Sequence, residues 1–325
     1  MRSSILAALL CAVVTLGAQN ETVANKEVTR EALIIEAGKE KMLGRLDKAK
    51  ELYKQLLKEY PNNELAAYEL ARILMVQNQP EEAIIWANKA AALNPSNVWY
   101  AILKADAMQA MGQYKDAAGV YEQLTRQFPT QSNYFYKWAF YLVKANELNP
   151  ALRVYDDLER RIGMNETLVR LKHGLYHAQG DDKKAARELQ RLADAHPNNI
   201  DYKHNLAEFY TEIGDKEQAR ATYRKILALD TNDAKANLAL AGGDVNKQND
   251  AQYLSSLRQS FESRDVSIEV KLGKIEPLLN KYLSSGDPGL GKELLQLSEI
   301  LEQLYPKEAK PFAISSSILN KQGKK

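Results

Sequence analysis

Six alanines stand 34 residues apart, and this period constrains the fold more than any other feature of the chain. They are Ala49, Ala83, Ala117, Ala151, Ala185 and Ala219. A second series keeps the same register: Pro61, Pro95, Pro129, Gly163 and Pro197. A fixed period held over six copies predicts a repeat architecture, in which each unit packs on its neighbours.

Positions within the period predict two helices per repeat. With Arg30 as position 1, position 8 is also small, and it reads Ala37, Ala71, Ala105, Ala139, His173, Ala207 and Ala241. Two helices approach closely only where both carry small side chains, so positions 8 and 20 predict their crossing. Apolar residues at positions 24 and 27 extend the buried stripe of the second helix. Position 15 is glycine in four repeats (Gly44, Gly112, Gly180, Gly214), which predicts a left-handed end to the first helix.

This pattern resembles the tetratricopeptide repeat (TPR) family, most strongly over residues 30 to about 233. The resemblance implies an all-α solenoid of helix-turn-helix units wound into a right-handed superhelix. The chain departs from the pattern at position 32 of two repeats, where Gly163 and Thr231 replace proline, and at His173. We therefore expect six TPR repeats over residues 30–233.

The register decays after Asp233, where Gly242 and Gly243 interrupt a first helix and Tyr253 takes the alanine position. Residues 234–325 are expected to be degenerate TPR-like helices. The expected segments are a helix over about Asp250–Ser263, another over about Val266–Ser284 with a kink or restart at Pro277, a loop over Gly286–Gly289, and a helix over Glu293–Tyr305.

If Pro306 is position 32, a further first helix begins at Ala309 and Gly323 falls on position 15. The sequence would then stop inside a repeat, after a first helix whose apolar side chains have no second helix to cover them. Finished solenoids end with a polar cap. We therefore expect this chain to be an N-terminal fragment of a longer protein.

Residues 1–18 have the pattern of a secretory signal peptide. Arg2 precedes an apolar run from Ile5 to Leu16, and Gly17–Ala18 precede polar residues. An uncleaved anchor is the alternative, and Cys11 fits a lipoprotein signal poorly. Cleavage after Ala18 would remove the only cysteine and leave a polar lead over residues 19–29. The mature protein is then expected to be exported, without disulfides or a membrane span, to the periplasm or the outer membrane.

Charge and motifs argue against several classes of site. The chain has 44 basic and 42 acidic residues and no basic stripe interleaved with aromatics, so no nucleic-acid partner is predicted. No glycine-rich phosphate loop is present, and no cofactor is predicted. His173 and His177 lie four residues apart and could face one metal ion, but no third ligand is evident. We interpret His173 as a packing residue and predict no metal site and no catalytic residue.

The resemblance also implies a binding groove, because positions 2, 5, 9, 12 and 13 of the first helices line the inner face of TPR proteins. The predicted groove residues are Tyr68, Arg72, Met75, Trp99, Tyr136, Phe140, Lys144, Arg170, His177 and His204. Tyr136 and Phe140 exceed what the core of their repeat needs, and exposed aromatics of this kind are typical anchors. The alternative is that a tightly wound superhelix buries them. The family's carboxylate clamp is matched only at Asn205 and Lys235, so none is predicted.

These features favour a non-catalytic scaffold that binds a peptide or partner segment in its groove, in assembly of the cell envelope. The alternative is the interaction arm of a larger enzyme or secretion machine, with its working domain beyond residue 325. A hydrolase with a metal at His173 and His177 is the least supported hypothesis. The sequence predicts no oligomeric state.

Overall fold

A computed structural model describes residues 27–241 and 250–323 of the chain. These ranges form eighteen α-helices and no strand. The helices are α1 (residues 27–42), α2 (Leu46–Glu59), α3 (Glu64–Val76), α4 (Pro80–Leu93), α5 (Val98–Ala110), α6 (Tyr114–Gln127), α7 (Ser132–Lys144), α8 (Leu148–Ile162), α9 (Glu166–Ala178), α10 (Asp182–Ala195), α11 (Ile200–Glu212), α12 (Lys216–Leu227), α13 (Ala234–Leu240), α14 (Asp250–Ser256), α15 (Arg258–Glu262), α16 (Ile268–Ser285), α17 (Pro288–Leu304) and α18 (Ala309–Lys321). The predicted signal peptide, most of the polar lead and Gly242–Gly243 lie outside the described residues.

The chain divides into two compact units at residue 163. Unit 1 contains α1–α8 and unit 2 contains α9–α18. Within each unit, consecutive helices of the repeats pack against one another. First helices begin at Glu64, Val98, Ser132, Glu166, Ile200 and Ala234, and second helices begin with the same 34-residue spacing from Leu46 to Lys216. The predicted all-α helix-turn-helix architecture is confirmed.

The alanines at positions 8 and 20 lie at the helix crossings, as their small size requires. Five of the six position-20 alanines are completely buried, and Ala219 is only 5% exposed. The second helices then bury larger side chains at position 24, where Tyr53, Tyr121, Tyr155 and Tyr223 are all in the core. The close crossing at alanine therefore leaves room for tyrosine rings one turn further along.

The first helices end in a left-handed residue in every repeat from α1 to α11. Gly44, Gly112, Gly180 and Gly214 have φ between 72° and 78°, and Asn78 (φ 56°) and Asn146 (φ 61°) fill the two remaining positions. Asparagine tolerates this conformation better than other side chains do, since it can hydrogen-bond locally. Glycine at position 15 therefore identifies this helix end in only four of the six repeats.

Position 34 caps the next first helix. The side chains of Asn63, Asn97, Asn165, Asn199 and Asp233 each accept a hydrogen bond from a backbone N–H of the helix that follows. Such an N-cap satisfies one of the unpaired donors of the first turn. The Pro-Asn-Asn segments thus end one helix and start the next.

Helix bounds near the C-terminus differ from the expectation at two places. The helix expected over Asp250–Ser263 is divided into α14 and α15 at Leu257. The loop expected over Gly286–Gly289 is only two residues long, because α17 already begins at Pro288. Proline suits the first position of a helix, and Asp287 caps it by accepting from the N–H groups of Gly289 and Leu290. The helix α16 continues through Pro277, which is exposed.

The helices α14–α18 form a C-terminal bundle with one core. Leu254, Phe261, Ile275, Leu294 and Ile318, from five different helices, are completely buried in a single cluster, which Leu238 of α13 joins. The helix α17 contacts all four other members of the bundle. Residues far apart in sequence therefore meet here, in contrast to the neighbour packing of the repeats.

Lys271 of α16 is completely buried inside this bundle. Its Nζ donates hydrogen bonds to the carbonyl oxygens of Phe261 (2.8 Å) and Ser263 (2.6 Å) at the end of α15. Burial lowers the pKa of the Lys271 ammonium below its ordinary value. The lysine thus satisfies two carbonyl oxygens at the carboxyl end of this five-residue helix.

Candidate functional site

One row of side chains crosses the first helices of unit 1. Burial raises the pKa of the Tyr68 hydroxyl, and the nearby charge of Asp106 adds a smaller increase. Desolvation raises the pKa of Asp106, and the positive charge of Lys137 opposes this increase. The Nζ of Lys137 lies 5.8 Å from the ring centre of Phe140. Trp99 precedes Asp106 by two helical turns on α5, so it shares the same face. We call this row the Trp99–Phe140 surface; it consists of Tyr68, Trp99, Asp106, Lys137 and Phe140.

Two aromatic side chains of this surface are open to solvent. Trp99 is 67% exposed and Phe140 is 41% exposed. The ammonium groups of Lys137 and Lys144 lie 5.8 and 5.7 Å from the centre of the Phe140 ring. Neither lysine forms an ion pair with another described residue. The arrangement therefore offers an apolar anchor with two ammonium groups beside it, of which Lys137 also interacts with the charge of Asp106.

The other aromatic and apolar groove residues of unit 1 are partly packed. The Tyr68 ring is half-buried, with the exposed Arg72 guanidinium 5.6 Å from its centre. Met75 is half-buried and packs with Tyr68 against the core. The Tyr136 ring is half-buried and lies 6.4 Å from the ring of Tyr155, whose pKa burial raises to about 12. These side chains contribute to the surface but are also held by the fold beneath it.

The predicted groove residues of unit 2 lie in a more polar setting. Arg170 is exposed and pairs with Glu166 at 3.4 Å. His177 is exposed; its Nδ1 donates to Asp182 at 2.7 Å, and its Nε2 lies 3.7 Å from Glu212. Arg170 and Glu212 line a shallow cavity of about 450 Å³. Here charge, more than apolar area, would govern contact with a partner.

His204 differs from the expectation, because it is only 9% exposed. Its Nε2 donates to Oδ2 of Asp233 at 2.8 Å. The other oxygen of Asp233 accepts from the N–H of Ala236 at 2.7 Å and so caps α13. His204 therefore holds two helices together, and the open face of α11 is formed by other residues.

His173 fills a packing position, in line with its place in the alanine series. Its Nδ1 donates to the carbonyl oxygen of Ala185 at 3.1 Å, and its ring meets the Phe209 ring edge-on at 4.5 Å. Over residues 27–241 and 250–323, no three His, Cys, Asp or Glu side chains are grouped so that they could hold a metal ion. No helix in those ranges combines the length and apolar character needed to cross a bilayer.

Two features of the candidate sites were not predicted from the sequence, namely Lys137 and a cleft in unit 2. Lys137 lies three residues before Phe140 and could have been found from helical spacing, since residues i and i+3 are neighbours on a helix. A second cleft lies in unit 2, with a volume of about 740 Å³, between the last repeat helices and α16. It had no sequence signal, because α16 stands outside the repeat register.

Comparison with known proteins supports the repeat assignment directly. Models of the tetratricopeptide repeat match residues 43–98, 103–130 and 176–242. The human aspartyl/asparaginyl beta-hydroxylase is 23% identical over 218 residues, which cover 63% of this chain; the chain spans about a quarter (26%) of that protein.

Two solved structures are similar to this chain at low sequence identity. The C-terminal part of a TPR repeat-containing protein from Cytophaga hutchinsonii is 16% identical, with 76% of this chain and 98% of that chain covered and a TM-score of 0.47. A tetratricopeptide repeat protein from Parabacteroides merdae is 15% identical, with 90% and 99% covered and a TM-score of 0.43. On the three family matches and the 34-residue helix register, the chain belongs to the tetratricopeptide repeat family.

Proposed function

We propose that this protein is a non-catalytic protein-interaction scaffold, and that unit 1 binds its partner through the Trp99–Phe140 surface. The observation that carries the proposal is the pair of solvent-exposed rings, Trp99 and Phe140, on the first helices. Aromatic side chains are the commonest anchors of protein interfaces, since each buries a large apolar area in few rotamers.

The charges of this surface define the partner further. Lys137 and Lys144 flank the Phe140 ring and have no ion pair among the described residues. A partner segment that places an apolar side chain on Phe140 would bring its neighbouring residues close to both ammonium groups. We therefore favour a segment that carries an apolar anchor next to acidic residues.

The test is a double variant, Trp99→Ala with Phe140→Ala, in a pull-down from envelope extracts of the source organism. Truncation of a buried anchor typically weakens binding by about 2 kcal/mol, or roughly thirtyfold. Partners captured by the unchanged protein should therefore be lost. The melting temperature should stay near that of the unchanged protein, because both side chains are exposed.

Ile85→Ala is the matched control, since Ile85 is 61% exposed but lies on a second helix, α4. This variant should capture the same partners as the unchanged protein. A folded double variant that still captures them would show that unit 1 binds elsewhere. Loss of capture in the Ile85 variant would show that exposed apolar area in general is responsible.

The proposed setting is the periplasm, in assembly of the cell envelope. It rests on the signal-like pattern of residues 1–18. Mass spectrometry of the exported protein should find Gln19 as the first residue. An intact Met1, or lipid on Cys11, would contradict this setting.

A second candidate is the interaction arm of a larger enzyme or secretion machine. It is favoured by one observation: the human hydroxylase that resembles this chain is an enzyme, and the chain corresponds to only 26% of its length. The gene downstream of the codon for Lys325 distinguishes the two. Further repeats would favour the scaffold, and a new globular domain would favour the arm.

A further inference from the structure

The cleft in unit 2 is built where the repeats give way to the C-terminal bundle. Its walls come from α11, α12 and α13, and from the segment 265–274 that leads into α16. Its volume of about 740 Å³ lies within the usual range for ligand sites, roughly 300–1,000 Å³. The wall formed by α16 has no counterpart in the regular repeat, because α16 lies outside the 34-residue register.

The charges that face the cleft are unbalanced. Four cations (Lys216, Arg220, Lys235, Lys274) and two anions (Glu208, Asp265) line it. Lys235 pairs with Glu208 at 3.2 Å, and Asp265 accepts from the Ser263 hydroxyl at 3.1 Å. Among the described residues, the side chains of the other three cations form no ion pair or hydrogen bond. Three of the four cations therefore have no ion pair, and the lining as a whole carries a net charge of +2, from four cations and two anions.

Most of the remaining lining is apolar. Ala219, Tyr223, Leu238 and Val266 are buried in the wall, and Val270 is 51% exposed at its edge. Lys274 is half-buried, and burial lowers the pKa of its ammonium group without a nearby carboxylate to oppose the shift. An anionic group placed here would relieve that cost, and an apolar group beside it could pack against the exposed side chain of Val270.

We propose that this cleft binds an acidic peptide segment, with carboxylates on Lys216, Arg220 and Lys274 and an apolar side chain against Val270. A nucleotide fits less well, because the one aromatic ring in the lining, Tyr223, is only 8% exposed and offers no stacking face. The site is separate from the Trp99–Phe140 surface, which lies in unit 1, and neither proposal depends on the other.

The experiment uses the full chain and three fluorescein-labelled hexapeptide amides in fluorescence anisotropy. The first probe is Glu-Asp-Leu-Phe-Glu-Asp. In the second, glutamine and asparagine replace the acids, and in the third, serine replaces leucine and phenylalanine. The first should bind with saturation and more weakly as salt rises. Each of the others should bind at least about tenfold more weakly, since each removes one of the two contributions.

Arg220→Gln and Lys274→Gln should each weaken the first probe about tenfold. Arg224→Gln is the matched control: Arg224 is exposed one turn further along α12 and does not line the cleft. Melting temperatures of all three variants identify any loss of fold. If one cleft variant melts early, the other still tests the proposal.

Several results would overturn the assignment. The acidic and amide probes could bind equally, Arg224→Gln could weaken binding as much as Arg220→Gln, or no probe could saturate up to about 1 mM, the weak end of measurable affinity. Binding that is lost in the Trp99/Phe140 double variant and kept in both cleft variants would place the acidic segment on unit 1 instead.

Discussion

The repeat helices and the C-terminal bundle bury their apolar side chains in different ways. In α1–α13, the buried residues form several clusters, each limited to helices that lie close together in sequence; one of them joins α1–α5. In the bundle, one cluster joins five helices, with α17 in contact with the other four. Neighbour packing repeats along the chain and so produces a periodic sequence, whereas packing around a central helix needs no period.

The two regions also contain buried groups that titrate in opposite senses. Four of the repeats bury a tyrosine at position 24, one helical turn beyond the alanine at position 20. The bundle buries Lys271, whose ammonium group satisfies two carbonyl oxygens. A buried phenol and a buried ammonium have opposite preferences at high pH, since the phenol is neutral when protonated and the ammonium is charged. This contrast gives the first and largest prediction.

Alkaline pH should destabilise the repeats of unit 1. Burial raises the pKa of Tyr53 and of Tyr155 from 10.0 to about 12. Between pH 10 and 12 the folded state keeps protons that the unfolded state has lost, so stability falls over this window, by about 5 kcal/mol for the two groups together. Urea unfolding followed by tryptophan fluorescence measures this, because Trp86, Trp99 and Trp138 all lie in unit 1.

The bundle should respond in the opposite direction below pH 10. The pKa of Lys271 is lowered in the folded state, so the unfolded state binds its proton more readily, and stability rises as the pH approaches 10.5. Above pH 10, Tyr253, whose pKa burial raises, opposes the gain. Hydrogen exchange of α14–α18, corrected for intrinsic rates, should show slower opening at pH 9.5 than at pH 7. Equal responses of the two regions would contradict the comparison.

Replacing Lys271 by methionine should cost about 3 kcal/mol, since the carbonyl oxygens of Phe261 and Ser263 would lose their donor inside the core. Because the bundle has one core, protection should fall in all of α14–α18 together. Lys310→Met is the control: Lys310 is exposed and 3.7 Å from Glu276, a surface pair worth at most about 1 kcal/mol. Similar losses in the two variants would show that the buried contacts contribute little.

Ala117→Leu should cost about 2 kcal/mol, because a larger side chain is forced into a completely buried helix crossing. Neighbour packing predicts that hydrogen exchange increases mainly in α5, α6 and α7, while α2 and α3 keep their protection. A uniform loss across unit 1 would show that the repeats unfold as one block, like the bundle.

Gly291→Ala should have the smallest effect, a net loss of about 1 kcal/mol. A Cβ at this position would lie 2.4 Å from Cε2 of the Tyr282 ring, so the ring must move. The cost of overpacking, about 1–3 kcal/mol, is partly offset by the better helix propensity of alanine, about 1 kcal/mol. Tyr282→Leu in the same chain should remove the clash and make the Gly291 substitution neutral or favourable. If Gly291→Ala alone stabilises the protein, this crossing is less tight than the repeat crossings.

Much of the repeat fold follows from the sequence, because the position of a residue within the 34-residue period determines its structural role. Taking Arg30 as position 1 places the starts of α3, α5 and α7 at Glu64, Val98 and Ser132, where the structure has them. Asn78 and Asn146 were missed, since a left-handed asparagine carries no signal beyond its place in the period. The division of α14 from α15 could not be predicted, because the bundle has no second copy with which to compare it.

The candidate sites were harder to predict from the sequence than the repeat fold. The period shows which face of a helix a residue occupies, but not whether a neighbouring helix covers it. Trp99 is therefore open, while Tyr136 packs near Tyr155 from an equally groove-like position. The His204 side chain is hydrogen-bonded to Asp233, which lies 29 residues later in the sequence. The cleft of unit 2 depends on the position of α16. Contacts between non-equivalent segments have no periodic signature.

The cap at position 34 has a consequence for how this chain can change length. Asn97 ends one repeat but serves the first turn of the next, through the N–H of Trp99. A duplication of residues 64–97, inserted directly after Asn97, would carry its own cap to each new junction and leave no helix start unsatisfied. A duplication of residues 98–131 would end instead in Gln131, which makes no such bond. The repeat array can thus grow by insertion of whole 34-residue units, each of which ends in a capping asparagine. The bundle around α17 has no segment that could be duplicated in the same way.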